Sequence, residues 1–363
     1  MALRVTLIGH YPPPYGGVAT LMQQMEAALK AAGCRVEIFN LGHGKPEAEN
    51  VRNFDTTNRA REVLELRSAM ASSDSDVFHY VSASYRSFWL GTVCLALAGL
   101  ARKTMVVSFV GGAFPDFIGS LGPVKRAWAR FALSRASALL ACNGEIEAVL
   151  RKLAPAAAIG RMTNSFPMPR GERRGLPGGV IRFIESHGPI ICTTGAAQSE
   201  YGLLGAIEAV AGLRSEFPDI GFVLVMTRYG TGEYEREIHN AIADHRLDTC
   251  VMIAKNLPDF VALLERADVF LRSTLVDGDS MSVREALYLG VPTVASDTAF
   301  RPDGVIEYRK GDVADMTEKL ETALRAGPGD SAVARRESER NLEALLETYS
   351  AVTGEDLAVA RSI

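Results

Sequence analysis

Asp268-Val-Phe-Leu-Arg-Ser-Thr-Leu-Val-Asp277-Gly-Asp-Ser-Met-Ser-Val-Arg-Glu285-Ala-Leu-Tyr-Leu-Gly290-Val-Pro-Thr-Val-Ala-Ser-Asp297 decides how this chain is read. An apolar run at Val269–Leu271 leads into a polar loop, a short amphipathic stretch and a second apolar run at Thr293–Ala295. That order predicts strand, loop, helix, strand. The loop falls at the carboxyl end of the first strand, where open α/β sheets bind ligands. Ser282-Val-Arg-Glu285 is also a capping-box pattern, in which Ser282 caps the helix and Glu285 returns to the Ser282 amide. On that reading Glu285 is structural.

The same residues resemble the signature of retaining GT-B glycosyltransferases, above all family 4 (glycosyltransferases group 1). That signature is an acid, seven residues, Glu-Ala on a helix, then Gly-x-Pro and a strand ending Val-Ala-Ser-Asp. Here it stands as Asp277, Glu285-Ala286 and Gly290-Val-Pro292-Thr-Val-Ala-Ser-Asp297, with Asp277 where the family usually has Glu. The resemblance implies that Asp277 contacts the sugar of a nucleotide diphosphate-sugar donor and Glu285 its ribose. Gly278, Ser280, Met281 and Ser282, at the start of the helix, then face the diphosphate. A capping box does not require the Gly290–Asp297 segment, and the length of the match favours the functional reading.

Three further places bear on the same chemistry. Strand Val5–Ile8 is followed by a loop with Gly16-Gly17 just before a helix, where backbone amides and the helix terminus can approach an anion. The spacing is not G-x-G-x-x-G, which disfavours a dinucleotide cofactor. In the family this loop closes on donor diphosphate and acceptor; a plain turn is the other reading. Thr194-Gly195-Ala196 through Tyr201-Gly202 occupies the place of the family's Gly-Arg and Lys-Gly pairs, with Ala196 and Tyr201 at the cation positions. Because a departing diphosphate gains charge, other cations must replace them. Arg228, Arg272, Arg284 and Arg301 are the candidates; Arg272 and Arg284 flank the signature loop, whereas for Arg228 and Arg301 a plain surface arginine is the favoured reading. Val110 stands where the family often has a sugar-contacting His. Asp74-Ser-Asp76 and Asp277-Gly-Asp279 are D-x-D triplets, but the family needs no metal, and neither metal nor cofactor is expected.

With 363 residues the chain exceeds one ordinary core. Five scattered cysteines without a C-x-x-C pair argue against a disulfide framework or zinc site. Nothing near Leu3–Ile8 reads as a signal peptide, and the longest apolar run, Phe88–Ala101, is too short to span a bilayer. Residues 1–170 carry 19 Lys and Arg against 12 Asp and Glu, whereas the remainder is acidic. The basic half lacks the aromatic interleaving of a nucleic-acid binder, so an anionic acceptor or membrane surface fits better. Val124-Lys-Arg-Ala-Trp128-Ala-Arg-Phe131-Ala-Leu-Ser-Arg135 is a basic amphipathic helix, readable as interfacial or as core packing with a solvated edge.

Alternating apolar runs and amphipathic helices predict βαβ units and parallel sheets on both sides of a Gly- and Pro-rich segment. The expected fold is α/β, of GT-B type, with two Rossmann-like domains and an interdomain cleft. Its expected parts are an acceptor-side domain over 1–165, a linker over 166–179, a nucleotide-sugar domain over 180–330, and C-terminal helices over 331–363 packing back on the first domain. The expected activity is retaining transfer from a UDP- or GDP-linked sugar to a glycan or lipid-linked acceptor, in the cytoplasm or on the inner face of the membrane. A non-catalytic homologue that binds a sugar nucleotide or acts as a scaffold is the alternative, and a sugar-nucleotide epimerase a weaker one.

Overall fold

The computed structural model describes residues 2–168, 175–228, 232–255, 257, 259–298 and 300–354. The chain forms two compact units, Met1–Arg170 with Glu337–Ile363, and Gly171–Arg336.

In the first unit the strands are β1 (Arg4–Gly9), β2 (Arg35–Asn40), β3 (Val51–Asn53), β4 (Val77–Ser82), β5 (Met105–Phe109), β6 (Ala138–Ala141) and β7 (Ile159–Arg161). Between them lie α1 (Gly17–Ala31), α2 (Arg59–Ser72), α3 (Arg86–Leu100), α4 (Phe114–Gly119), α5 (Pro123–Leu133) and α6 (Gly144–Leu153). The sheet order is β3-β2-β1-β4-β5-β6-β7, every pairing parallel. Crossover helices hide both faces of such a sheet, so its inner strands are continuous apolar runs. β4 is buried at every position. Phe88, Phe109, Phe114 and Phe117 meet edge-on or tilted under α3 and α4, and fully burying one such ring contributes roughly 1.5–3 kcal/mol.

The second unit contains α7 (Gly178–Ser186), β8 (Ile190–Ala196), α8 (Leu203–Leu213), β9 (Gly221–Arg228), α9 (Glu233–Asp244), β10 (Val251–Lys255), α10 (Phe260–Leu264), β11 (Val269–Arg272), α11 (Met281–Leu289), β12 (Thr293–Ser296), β13 (Val305–Tyr308) and α12 (Val313–Ala326). Its parallel sheet runs β10-β9-β8-β11-β12-β13. Here Leu203, Ile207 and Val210 of α8 pack with Met316 and Leu320 of α12. The last helix, α13 (Ala332–Thr353), lies in the first unit from Glu337 onward. There Asn341 accepts from Thr163 N at 2.9 Å and donates to Thr163 O and Ser165 O at 3.0 and 2.6 Å.

The apolar runs Val5–Ile8, Val36–Asn40, Val77–Val81, Met105–Phe109, Ala138–Ala141, Pro189–Thr193, Phe222–Met226, Val251–Ile253, Val269–Leu271 and Thr293–Ala295 predict ten strands, and all ten are present, within three residues at their ends. The three that it does not show, β3, β7 and β13, are short edge strands of partly exposed residues. The Gly- and Pro-rich segment is not all linker, since Gly178 and Gly179 open α7. Residues 169–174 of that segment, and 355–363 of the expected C-terminal helices, lie outside the described residues.

Candidate functional site

Three loops at the carboxyl edge of the second sheet converge on the signature. β11 ends at Arg272 and delivers Ser273–Ser280; β8 ends at Ala196 and delivers the turn through Tyr201 and Gly202; β12 ends at Ser296 and delivers Thr298 and Arg301. Gly202 is held at φ +62, and a Cβ there would lie 2.1 Å from Ser273 O. That close approach lets Ser273 Oγ donate to Tyr201 O at 2.8 Å, and Leu275 N to Glu200 O at 2.7 Å. Gly195 is confined in the same way, its absent Cβ falling 2.7 Å from the Tyr201 ring.

Asp277 sits at the centre. Arg272 grips its carboxylate with a two-pronged fork, Nε to Oδ2 at 2.9 Å and Nη2 to Oδ1 at 3.1 Å. Arg301 Nη1 donates to Oδ2 from the other side at 2.9 Å, and Thr274 Oγ1 adds a bond at 3.1 Å. Both guanidiniums are themselves fixed: Arg272 Nη1 donates to Thr194 O at 3.1 Å, and Arg301 to Ser296 O and Thr298 Oγ1 at 2.8 Å each. The Tyr201 ring lies 5.6 Å from the Arg272 guanidinium carbon, within cation–π range. Burial pushes the Asp277 carboxyl up, but Arg272 and Arg301 outweigh it and hold the group down at about 2. It is a fixed anion at neutral pH.

The helix beyond starts two residues earlier in the motif than the Ser282–Glu285 pattern suggests. α11 begins at Met281, with Ser280 at the cap position and no side-chain cap bond. Its first intrahelical bond is Arg284 N to Ser280 O at 3.2 Å. Ser282 is therefore inside the first turn, its hydroxyl 3.1 Å from that of Ser280, and the Ser282–Glu285 capping box does not form. The first turn itself carries no acid, and its N–H groups and partial positive charge face the loop that holds Asp277 and Asp279. Glu285 is buried one turn further on.

The remaining sequence candidates fall into two groups. Arg284 is buried and spends its Nε on Asp279 Oδ1 at 2.5 Å, so it is paired inside the loop rather than presented as a second cation beside Arg272. Arg301, read as a surface residue, has a side chain only 2% exposed and completes the clasp; the sequence signal was its place five residues after a strand end. The Arg228 side chain lies outside the described residues. Gly278 N donates back to Asp277 Oδ1 at 3.1 Å. Gly16 and Gly17 belong to the first unit, where Gly16 precedes α1 in an extended conformation and a Cβ at either position would meet nothing within 4 Å. Val110 is buried, its N–H bonded to Ser82 O at 3.0 Å. Asp74 and Asp76 both pair with Arg4. Among the described residues no group of three or more His, Cys, Asp or Glu is placed to hold a metal ion, and no helix is long and apolar enough to cross a membrane.

The family model for glycosyl transferases group 1 matches residues 181–327, a span that holds the whole clasp. Residues 181–327 are thus similar to that family. No curated protein sequence matches the chain. Among solved structures, Anabaena HepE in complex with UDP-glucose is similar over 96% of this chain and 98% of its own, with a TM-score of 0.69 at 13% identity. A glycosyltransferase from Rickettsia africae ESF-5 gives 0.70 at 14% identity over 98% and 100% of the two chains. Sucrose-phosphate synthase from Thermosynechococcus elongatus gives 0.64 at 15% over 97% and 96%. At such identities the likeness is one of fold, and the chain has the GT-B fold, two Rossmann-like units with parallel sheets.

Proposed function

We propose that the protein is a retaining glycosyltransferase that moves a sugar from a nucleoside diphosphate donor to a glycan or lipid-linked acceptor in polysaccharide or glycoconjugate synthesis. The observation that carries this reading is the clasp, in which two guanidiniums share the Asp277 carboxylate. The clasp itself carries a net positive charge, at the strand ends ahead of the start of α11. A departing diphosphate gains negative charge in the transition state, and fixed cations with a helix terminus stabilise that charge without reorganising. Ala196 and Tyr201 supply no cation, so Arg272 and Arg301 take that role, with Tyr201 supporting Arg272 through its ring. Arg284 serves the loop through Asp279. Asp277, ionised at neutral pH and held from both sides, orders the cations and is not a proton acceptor. Glu285, Gly278, Ser280, Met281, Ser282 and Gly195 serve the donor in this reading.

A UDP-linked hexose is the donor we favour, since HepE is similar in fold and was solved with UDP-glucose. The chemistry is metal-independent in this reading, because the guanidiniums and the helix terminus supply the charge. The acceptor end works in the cytoplasm at the inner face of the membrane. Thermal-shift measurements with UDP and GDP, followed by transfer from the matching sugar nucleotides with and without EDTA, test the proposal. Stabilisation by UDP and EDTA-resistant transfer are expected. Stabilisation without hydrolysis or transfer from any donor returns the protein to a non-catalytic GT-B homologue, and no stabilisation by either nucleotide overturns the donor site.

A further inference from the structure

α5 is an 11-residue helix from which only Ala129, Ala132 and Leu133 are buried. Val124, Trp128 and Phe131, spaced to share one face, are 81%, 45% and 51% exposed. Of the two readings of this helix, core packing does not hold for these three residues. Trp128 is nonetheless held in place: its Nε1 donates to Thr92 Oγ1 of α3 at 3.2 Å, and its ring lies 5.8 Å from that of Phe131. On α3, Thr92, Ala96 and Leu100 follow at four-residue intervals, and Leu100 is 79% exposed. The exposed apolar groups lie on two helices packed against each other.

The charge around this surface has one sign. Between Asp116 and Glu145 the chain carries Lys125, Arg126, Arg130 and Arg135 and no acid at all. Among the described residues none of the four forms an ion pair. Arg135 lies with its guanidinium carbon 4.6 Å from the Phe131 ring, and Arg126 Nη2 donates to the carbonyls of Ile118 and Gly119 at 3.3 and 3.1 Å. Arg102, at the end of α3, is exposed as well. Exposed Trp, Phe and Val between unpaired cations are expensive to leave in water, and each finds its partner at a bilayer: rings and the Val side chain at the acyl boundary, guanidinium and ammonium groups at the headgroups.

We infer that the α5 face, with the end of α3, is a docking surface for an anionic lipid bilayer. The inference stands apart from the donor reading, because it rests on the first unit alone. Trp128 makes it directly measurable. The full-length protein is mixed with vesicles of phosphatidylcholine, or of phosphatidylcholine with about 30 mol% phosphatidylglycerol, and followed by flotation and tryptophan fluorescence. The Trp89→Phe protein assigns the spectral shift to Trp128. Binding to the anionic vesicles alone, release as salt rises from about 50 to 500 mM, and a blue shift that survives Trp89→Phe are expected. Lys125→Ser, Arg126→Ser and Arg130→Ser together should weaken partitioning on the order of 100-fold. The double variant Lys125→Ser/Arg130→Ser, which spares the Arg126 bonds to Ile118 and Gly119, covers the case in which the triple variant unfolds and should weaken it on the order of 10- to 30-fold. Equal binding to neutral vesicles, no binding at low salt, or wild-type binding by the double variant would each overturn the inference. So would full competition by soluble polyglutamate without a Trp128 shift, which would assign the patch to an acidic protein partner.

Discussion

His79 Nδ1 lies 2.5 Å from the hydroxyl of Tyr349, joining the middle of β4 to the last turns of α13 across 270 residues of chain. The other ring nitrogen meets the Ser108 hydroxyl on β5. Both residues belong to the first unit and both are fully buried. A histidine in the centre of a parallel sheet is tolerated only when both nitrogens are satisfied, and α13 supplies one of the two partners.

Removing that partner should be costly for stability and silent for the donor. Tyr349→Phe keeps the ring and strands a buried imidazole nitrogen, at about 1–3 kcal/mol. Urea denaturation measures the loss and UDP titration the affinity. A loss below about 0.5 kcal/mol would mean that the hydrogen bond contributes nothing net.

His79 also fixes a pH dependence. Burial lowers its pKa to about 3, against an unfolded value of about 6.5. A depressed folded pKa means that the unfolded state binds the proton first. The contribution is thus fully present above pH ~6.5 and is lost as pH falls from there towards the folded value, with a slope of up to about 1.4 kcal/mol per pH unit. His79→Gln should flatten the stability profile between pH ~6.5 and ~5. A profile of unchanged slope in the variant would show that other groups control it.

At the clasp, Asp277→Ala should lower stability by about 3–5 kcal/mol, because it leaves Arg272 and Arg301 buried without their shared anion. Asp277→Asn keeps the shape and tests the charge. Its folded pKa of about 2 lies below the unfolded value, so the stability from ionisation is present above pH ~4 and lost as pH falls through ~2. If Arg272 and Arg301 face the departing diphosphate, Arg272→Ala should lower kcat far more than donor affinity. Equal effects on kcat and KM would argue for a purely structural clasp.

Glu285→Ala should weaken UDP affinity by at least about tenfold, the loss expected when a buried polar partner is removed. Ser282→Ala, which removes no cap, should change stability by less than about 1 kcal/mol. Unchanged UDP affinity in Glu285→Ala would leave that residue as packing alone.

Gly202 and Gly33 separate backbone conformation from close approach. Both have positive φ, but a Cβ at Gly33 meets nothing within 4 Å, whereas at Gly202 it would collide with Ser273 O. Gly33→Ala should cost about 1 kcal/mol, the ordinary left-handed penalty. Gly202→Ala should cost well over that and disturb UDP binding, since the signature loop must move. Equal Tm values for the two variants would contradict the packing described at Ser273.

The sequence by itself determined the inner strands and the place of the Asp277 loop after one of them. Apolar runs such as Met105–Phe109 and Thr293–Ala295 are legible because a strand covered on both faces must be apolar throughout, and the Asp277–Asp297 spacing marks the loop at a strand end. Edge strands β3, β7 and β13 were not legible, because one-sided exposure erases that pattern. Only the tertiary structure decided which charges meet. Asp277 and Arg301 are 24 residues apart, on loops after neighbouring parallel strands, and Arg284 turns to Asp279 while Arg272 turns to Asp277. Such partners depend on strand order and loop geometry, which a one-dimensional spacing does not carry. The same holds for α5, where the helical period shows an apolar face but only the packing of the neighbouring elements shows that Val124, Trp128 and Phe131 remain uncovered.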